Sequence, residues 1–99
     1  MIFVHAPGHT SGGICIIVDA SYLLTGDTLF IGDCGRTDLP DGSNEDMYAT
    51  LQMLKNLPDE LIVYPGHDYG KKPFDTLENQ KKTNKTMLAK SLDIFSQIP

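Results

Sequence analysis

Residues 24–30 (LTGDTLF) decide the fold, because an apolar stretch there runs directly into a glycine and the acidic Asp27. The preceding residues 14–18 (ICIIV) form an unbroken apolar run rich in β-branched side chains, which is typical of a strand buried on both faces. Residues 22–25 predict a strand that returns beside it after a turn. Asp27 therefore stands where a strand ends in a glycine-containing loop. In isolation, an Asx turn or a cap would be its more common role.

Two histidines occupy the same kind of position. In residues 7–13 (PGHTSGG) and 63–69 (VYPGHDY), a Pro-Gly pair comes directly before His9 and His67. A sharp turn of this kind can direct an imidazole towards a fixed point. Imidazole and carboxylate groups are common metal ligands, and a carboxylate can also bridge two cations. Each histidine alone would more often be a polar loop residue, so the pattern matters only as a set.

The remaining pattern predicts an α/β layered domain that spans residues 1–99. Further strands are expected at 2–4 and 61–64, whereas the glycine-containing segment 26–43 is expected to be a functional loop. A helix is predicted over 45–56 with Asn44 as its N-cap, and a polar helical stretch over 76–82. One amphipathic helix is expected from Asn84 to about 97, with Leu88, Leu92 and Phe95 on one face.

Composition excludes several classes of protein. The 99 residues allow one domain at most, and 40% hydrophobic residues suffice for a packed core. The net charge of −5 argues against binding to nucleic acid or to an anionic membrane surface. No apolar run approaches the roughly 20 residues that span a bilayer, and the start does not resemble a signal peptide. Two distant cysteines are not a disulfide framework, so a cytoplasmic location is expected.

The order of the motifs resembles the second half of the metallo-β-lactamase superfamily. Residues 34–40 (CGRTDLP) and 57–60 (LPDE) are similar to the connecting stretches of its glyoxalase II-like and persulfide-dioxygenase-like branches. The resemblance covers residues 2 to about 84. It implies one half of an αββα sandwich, namely one mixed sheet with its covering helices.

The resemblance also implies a binuclear metal site. His9 would complete one metal site, His67 the other, and Asp27 would bridge the metals as the catalytic carboxylate. Two Zn²⁺ ions, with Fe²⁺ or Mn²⁺ as alternatives, would hold a hydroxide that attacks a thioester such as an acylglutathione. Arg36 would pair with a carboxylate of this glutathione-type substrate; the alternative, a solvated loop arginine, is equally open.

The family's His-x-His-x-Asp-His signature is absent, since the chain has only three histidines. Each metal would have about two protein donors, against the three or four that tight Zn²⁺ binding uses. We therefore expect an isolated chain to be a poor catalyst. A complementary N-terminal half or a second copy of the chain would be its partner. Ile14, Ile16 and Val18 project to one side of their strand and Cys15 and Ile17 to the other, and the helices can cover only one of these apolar faces.

Two other functions remain open. A persulfide dioxygenase would use a single Fe²⁺ held by His9 and Asp27, with His67 binding no metal. A non-catalytic remnant would act as a binding module. Among the other candidates, His5 is expected to be structural, Cys15 to lie in the core and Cys34 to be a plain loop residue.

Overall fold

A five-stranded mixed sheet organises the chain, of which the computed structural model describes residues 1–67 and 72–98. In sheet order the strands are β1 (Ile2–His5), β2 (Ile14–Val18), β3 (Tyr22–Gly26), β6 (Ile62–Pro65) and β7 (Asp75–Thr76). Strands β3 and β6 pair in parallel, and the other neighbours pair antiparallel. The predicted α/β class with one mixed sheet is confirmed.

A small hairpin and four helices complete the described part of the fold. The hairpin consists of β4 (Leu29–Phe30) and β5 (Asp33–Cys34). The helices are α1 (Asn44–Leu54), α2 (Leu77–Thr83), α3 (Lys85–Leu88) and α4 (Leu92–Ser96). Among the described residues, no helix is both long and apolar enough to cross a membrane.

The core lies between one face of the sheet and the helices. Cys15, Leu23 and Val63 project from β2, β3 and β6 and are fully buried. They belong to the same apolar cluster as Met47 and Leu51 of α1. Each fully buried aliphatic side chain of this kind contributes roughly 1.5–3 kcal/mol to folding, so this layer is what holds α1 against the sheet.

In the part of the chain that the structure describes, the opposite face of the sheet is largely open, although the Phe74 ring stacks on Tyr64. Phe3, Ile16, Leu24 and Tyr64 are paired in register across four strands and so form a continuous row on this face. Phe3 is 66% exposed and Leu24 is 38% exposed, and the neighbouring Ile14 is 49% exposed. Within residues 1–67 and 72–98, the expectation that the helices leave one apolar sheet face without cover is confirmed. The expectation that β2 is buried on both faces is wrong, because the helices cover only the Cys15 side.

Three local expectations differ from the structure. The segment 26–43 is not wholly a loop, since it contains β4 and β5. Helix α1 has Ser43 as its N-cap, whose side chain accepts a hydrogen bond from the Asp46 amide, and Asn44 is its first helical residue. The helix expected from 84 to 97 is two helices, because Ala89 is extended and Ser91 caps a new helix. Leu88 is consequently exposed and does not share the face of Phe95.

The open face should drive self-association of the purified chain. We expect Phe3→Lys to weaken this association about tenfold or more, because the contact that buries a phenylalanine contributes roughly 1.5–3 kcal/mol. Ile94→Lys is the matched control, since Ile94 is also exposed but lies on α4. Sedimentation velocity over a concentration series measures the effect. A wild-type chain that stays monomeric throughout would contradict this interpretation.

Candidate metal centre

Three loops meet at one edge of the sheet because of the strand directions. β1 and β3 both run antiparallel to β2, and β6 runs parallel to β3. β1, β3 and β6 therefore point the same way, and the loops that follow them lie at the same edge. His9, Asp27 and His67 each lie in one of these loops, as the sequence predicted. Asp68 and Tyr69 of the third motif lie outside the described residues.

The loop that carries His9 is held by the start of α1. Gly8 has a φ of +141°, and a Cβ there would lie 2.5 Å from the Met47 Cα, so only glycine fits. The Gly8 carbonyl accepts a hydrogen bond of 2.8 Å from the Ser43 amide. The Thr50 hydroxyl donates to the Pro7 carbonyl at 2.7 Å. These contacts fix the backbone directly before His9 and so hold the turn that presents the imidazole.

The His9 ring is oriented by a main-chain carbonyl. Its Nδ1 lies 2.9 Å from the Arg36 carbonyl oxygen, which can only accept, so Nδ1 carries the proton. This leaves Nε2 as the nitrogen with a free lone pair, and Nε2 lies 3.9 Å from Asp27 Oδ2. Metal-binding histidines typically have their second nitrogen fixed in this way. The side chain therefore suits a metal ligand, although that role stays a prediction.

Asp27 and His67 are brought together by the parallel pairing of β3 with β6. The Gly66 amide donates to the Gly26 carbonyl at 2.8 Å, and Gly26 has a φ of +51°, which allows the tight turn that begins the 27–29 segment. His67 Nδ1 lies 2.7 Å from Asp27 Oδ1. The His67 ring also meets the Phe30 ring edge-on, at 6.3 Å between centroids. The two histidines thus approach the two oxygens of one carboxylate.

The three side chains converge but do not enclose a metal. Within residues 1–67 and 72–98, no three His, Cys, Asp or Glu side chains are arranged as a ready metal cage. Asp27 and His67 are also accessible, with 42% and 52% of their side chains exposed. The donor types fit Zn²⁺ or Fe²⁺, but further ligands would have to come from the exposed side.

Arg36 lies beside this centre, and its side chain is paired within its own loop. Its guanidinium bonds both carboxylate oxygens of Asp38, at 3.0 and 3.2 Å. The hydrogen bond from Arg36 holds the pKa of Asp38 below its usual range. Arg36 also lines a cleft of about 450 Å³ together with Thr86 and Phe95. Its predicted contact with substrate therefore stays a prediction, and a substrate carboxylate would have to compete with Asp38.

Gly35 is a site residue that sequence reasoning missed. A Cβ at this position would overlap the Asp27 carbonyl oxygen and lie 3.1 Å from the His9 Cβ. The Gly35 amide donates to the Thr28 carbonyl at 3.0 Å. The Cys-Gly-Arg stretch was visible in the sequence, but only the fold shows that its glycine passes between two of the candidate ligands.

His5 has the structural role expected of it, and the two cysteines differ from each other. His5 Nε2 bonds the Ser11 carbonyl at 3.0 Å within the loop that carries His9. Cys15 lies in the core as predicted, and burial raises the pKa of its thiol to about 11. Cys34 belongs to β5, so the expectation of a plain loop residue is wrong. Burial, followed by the charge of Asp33, raises the pKa of the Cys34 thiol to about 12.

Replacing Gly35 should disturb the centre more than replacing another loop glycine. We expect Gly35→Ala to cost about 1–3 kcal/mol of stability or more, because the new methyl group has no space beside Asp27. Gly12→Ala is the control, since a Cβ there meets nothing within 4 Å. Urea unfolding of both variants provides the comparison. Equal stability of the two would show that the 34–37 segment is not packed as described.

Alkylation should be slow at both thiols in the folded chain. At about pH 8, a thiol with a pKa of about 12 is ionised in only ~1 molecule in 10,000, and the thiolate is the reactive form. The expected outcome is little iodoacetamide labelling of Cys34 until urea unfolds the chain, as measured by mass spectrometry. Rapid labelling of native Cys34 would contradict the burial that raises its pKa.

The sequence matches the family profile described as the metallo-beta-lactamase superfamily over residues 1–67. A probable polyketide biosynthesis zinc-dependent hydrolase, BaeB of Bacillus velezensis, is 42% identical over 79% of this chain and 35% of its own length. A hydroxyacylglutathione hydrolase of an Enterobacter species is 45% identical over 76% of this chain and 26% of its own. The bovine mitochondrial persulfide dioxygenase ETHE1 is 37% identical over 80% of this chain and 32% of its own length. The chain thus spans between about a quarter and about a third of the length of these relatives.

Solved structures agree with the sequence relatives. ETHE1 from Myxococcus xanthus superposes with a TM-score of 0.87 at 33% identity, over 98% of this chain and 46% of that one. TTHA1623, solved in a di-iron-bound form, superposes with a TM-score of 0.74 at 37% identity, over 83% of this chain and 40% of that one. The family profile covers β1 to β6 together with His9, Asp27 and His67, and the superposition on ETHE1 extends over nearly the whole chain. The chain belongs to the metallo-β-lactamase superfamily and corresponds to part of that fold.

Proposed function

We propose that this chain is the C-terminal, metal-binding part of a hydrolase that cleaves thioesters of the acylglutathione type. The observation that carries the proposal is the convergence of His9 and His67 on the carboxylate of Asp27, at 3.9 and 2.7 Å. The similarity to a hydroxyacylglutathione hydrolase supports the substrate class. The two free cysteines support a cytoplasmic setting, because disulfides are rare there.

His9, Asp27 and His67 would hold two Zn²⁺ ions, with Fe²⁺ or Mn²⁺ as alternatives. The relatives support both kinds of metal, since BaeB is described as a zinc-dependent hydrolase and TTHA1623 was solved in a di-iron-bound form. When bound, such a metal lowers the pKa of a water so that it can attack a carbonyl near neutral pH. Asp27 would be a ligand shared by the two metals, and the Arg36 carbonyl would keep the His9 Nε2 directed towards the centre.

Arg36 would bind the substrate through its guanidinium. It is held near the centre by its own backbone, whose carbonyl accepts from His9. Its side chain already forms a two-bond contact with the carboxylate of Asp38, which is the geometry that a substrate carboxylate would adopt. Exchange of Asp38 for the substrate would cost little, because both partners are about 70% exposed and the ion pair is screened by solvent.

The partner would be a complementary N-terminal half that covers the open sheet face. Such a half would bring the His-x-His-x-Asp-His ligands to the exposed side of Asp27 and His67. The support is the apolar row across β1, β2, β3 and β6, together with the share of the relatives that the chain leaves unmatched. A second copy of the chain would cover the same face without supplying that motif.

A specific observation favours iron-dependent persulfide dioxygenase activity as the second candidate. The His67 Nδ1 is hydrogen-bonded to Asp27, so His67 can serve as a partner of the carboxylate without binding metal. A single Fe²⁺ would then be held by His9 and Asp27 with ligands from elsewhere. The similarity to two ETHE1 proteins supports this alternative.

Reconstitution distinguishes these activities. We expect the chain alone to show no turnover in the enzymatic range of roughly 1 to 1,000 per second, because it lacks half of the ligands. Mixed with a separately produced N-terminal half of BaeB, it should bind two metals and cleave S-lactoylglutathione. One iron with consumption of oxygen on glutathione persulfide would establish the alternative.

Variants then test the ligand assignment. His9→Gln and Asp27→Asn should reduce the metal content of the reconstituted protein. His5→Gln is the matched control, since His5 lies four positions earlier and its Nε2 bonds the Ser11 carbonyl of the loop. Metal content and activity that are equal in all three variants would refute the proposed centre.

A further inference from the structure

Two buried side-chain amides lie beneath the hairpin of the candidate centre. Gln80 of α2 is 1% exposed, and Asn84, which follows α2 and caps α3, is fully buried. A polar amide is costly to bury unless its donors and acceptors are all bonded. Both amides are bonded, and three of their seven hydrogen bonds join them to the backbone of the hairpin formed by β4 and β5.

Asn84 spans the hairpin. Its Nδ2 donates to the Phe30 carbonyl at 3.2 Å, to the Asp33 carbonyl at 3.1 Å and to Gln80 Oε1 at 2.9 Å. Its Oδ1 accepts from the Thr86 amide and hydroxyl, at 3.0 and 2.6 Å. Because Phe30 and Asp33 are the paired residues at the end of the hairpin, one side chain fixes both of its strands.

Gln80 holds the turn of the same hairpin. Its Oε1 accepts from the Gly32 amide at 2.9 Å, and its Nε2 donates to Asp75 Oδ2 at 2.8 Å. Burial alone would raise the pKa of Asp75, but the hydrogen bonds from Asn79 and Gln80 hold it below its usual value. Asp75 therefore stays ionised as an acceptor and anchors Gln80 to β7 of the main sheet.

The hairpin connects these amides to the metal-ligand candidates. Asp27 comes two residues before β4, and the Phe30 ring contacts the His67 ring. Directly after the other strand, the Gly35 amide bonds the Thr28 carbonyl and the Arg36 carbonyl orients His9. A displacement of the hairpin would therefore move the surroundings of all three candidate ligands together.

We propose that Gln80 and Asn84 are positioning residues that lock the β4–β5 hairpin in the place where Asp27, His9 and His67 converge. The inference rests on the proposed function for its chemical meaning, whereas the mechanical link is a property of the chain itself. Residues of this kind orient the metal ligands without contacting the metal, and replacing them commonly changes the metal affinity.

The test uses one variant of Asn84 and one of Gln80, together called the clamp variants. They are compared with a variant of a residue next to Gln80 on α2. Asn84→Asp keeps the shape and the acceptor but loses the amide protons, and Gln80→Met removes the bond to Gly32 with little change in volume. Lys81→Met is the control: its Nζ ties α2 to the Leu57 carbonyl and to Asp59, at 2.7 and 2.6 Å, away from the hairpin. Gln80→Met keeps the test possible if Asn84→Asp does not fold.

Amide hydrogen exchange of the 99-residue chain provides the first measurement. In either clamp variant, protection of the Gly35 amide should fall about tenfold or more beyond the fall at the α1 amides, since one or two hydrogen bonds are lost locally. In Lys81→Met, the Gly35 and α1 amides should change by the same factor. A clamp variant in which protection of the Gly35 amide falls by the same factor as protection of the α1 amides would overturn the proposal.

The second measurement is Zn²⁺ affinity by competition with a chromogenic chelator. It should fall about tenfold in the clamp variants and stay unchanged in Lys81→Met. If exchange at Gly35 rises while Zn²⁺ affinity is unchanged, the hairpin is clamped but does not position the ligands, and the proposal is wrong. If the wild-type chain binds no Zn²⁺ even with an N-terminal half, the proposed function fails, while the exchange experiment still decides whether the clamp exists.

Discussion

The parallel pairing of β3 with β6 is the constraint on which the site depends. Its last bond, from the Gly66 amide to the Gly26 carbonyl, joins two turns that are distant in sequence. A Cβ at Gly66 would lie 3.1 Å from the Gly26 carbonyl, so the missing side chain of Gly66 lets the strands end side by side, whereas Gly26 allows the turn through its positive φ. Asp27 and His67 follow directly, and their contact is a consequence of backbone geometry more than of attraction between the side chains.

The features of the fold that could be predicted from the sequence are those determined by short stretches of neighbouring residues. β2, β3 and β6 were predicted within a residue or so, because apolar β-branched runs show themselves over a few positions. His9 and Asp27 stood out through the glycines beside them. The break between α3 and α4 at Ala89 was not predicted. It depends on Ser91 acting as the N-cap of a new helix, whereas the helical spacing of the apolar residues continues across the break and favours one helix.

What sequence could not predict is long-range. The contacts of Asn84 reach residues more than fifty positions away, and no local pattern marks an asparagine as the support of a distant hairpin. The two-sided burial assigned to β2 failed for a related reason. Periodicity indicates that both faces are apolar, whereas the layers that cover them are a property of the whole assembly, and the described residues supply a layer for only one face.

The open row of Phe3, Ile16, Leu24 and Tyr64 has a consequence for the conditions under which the chain is handled. Contact between apolar surfaces is driven near room temperature by the entropy of released water. Cooling weakens that force, and excluded salts such as sulfate strengthen it. Cold, low-salt solution should therefore keep copies of the chain apart, and warming should restore their tendency to cover one another.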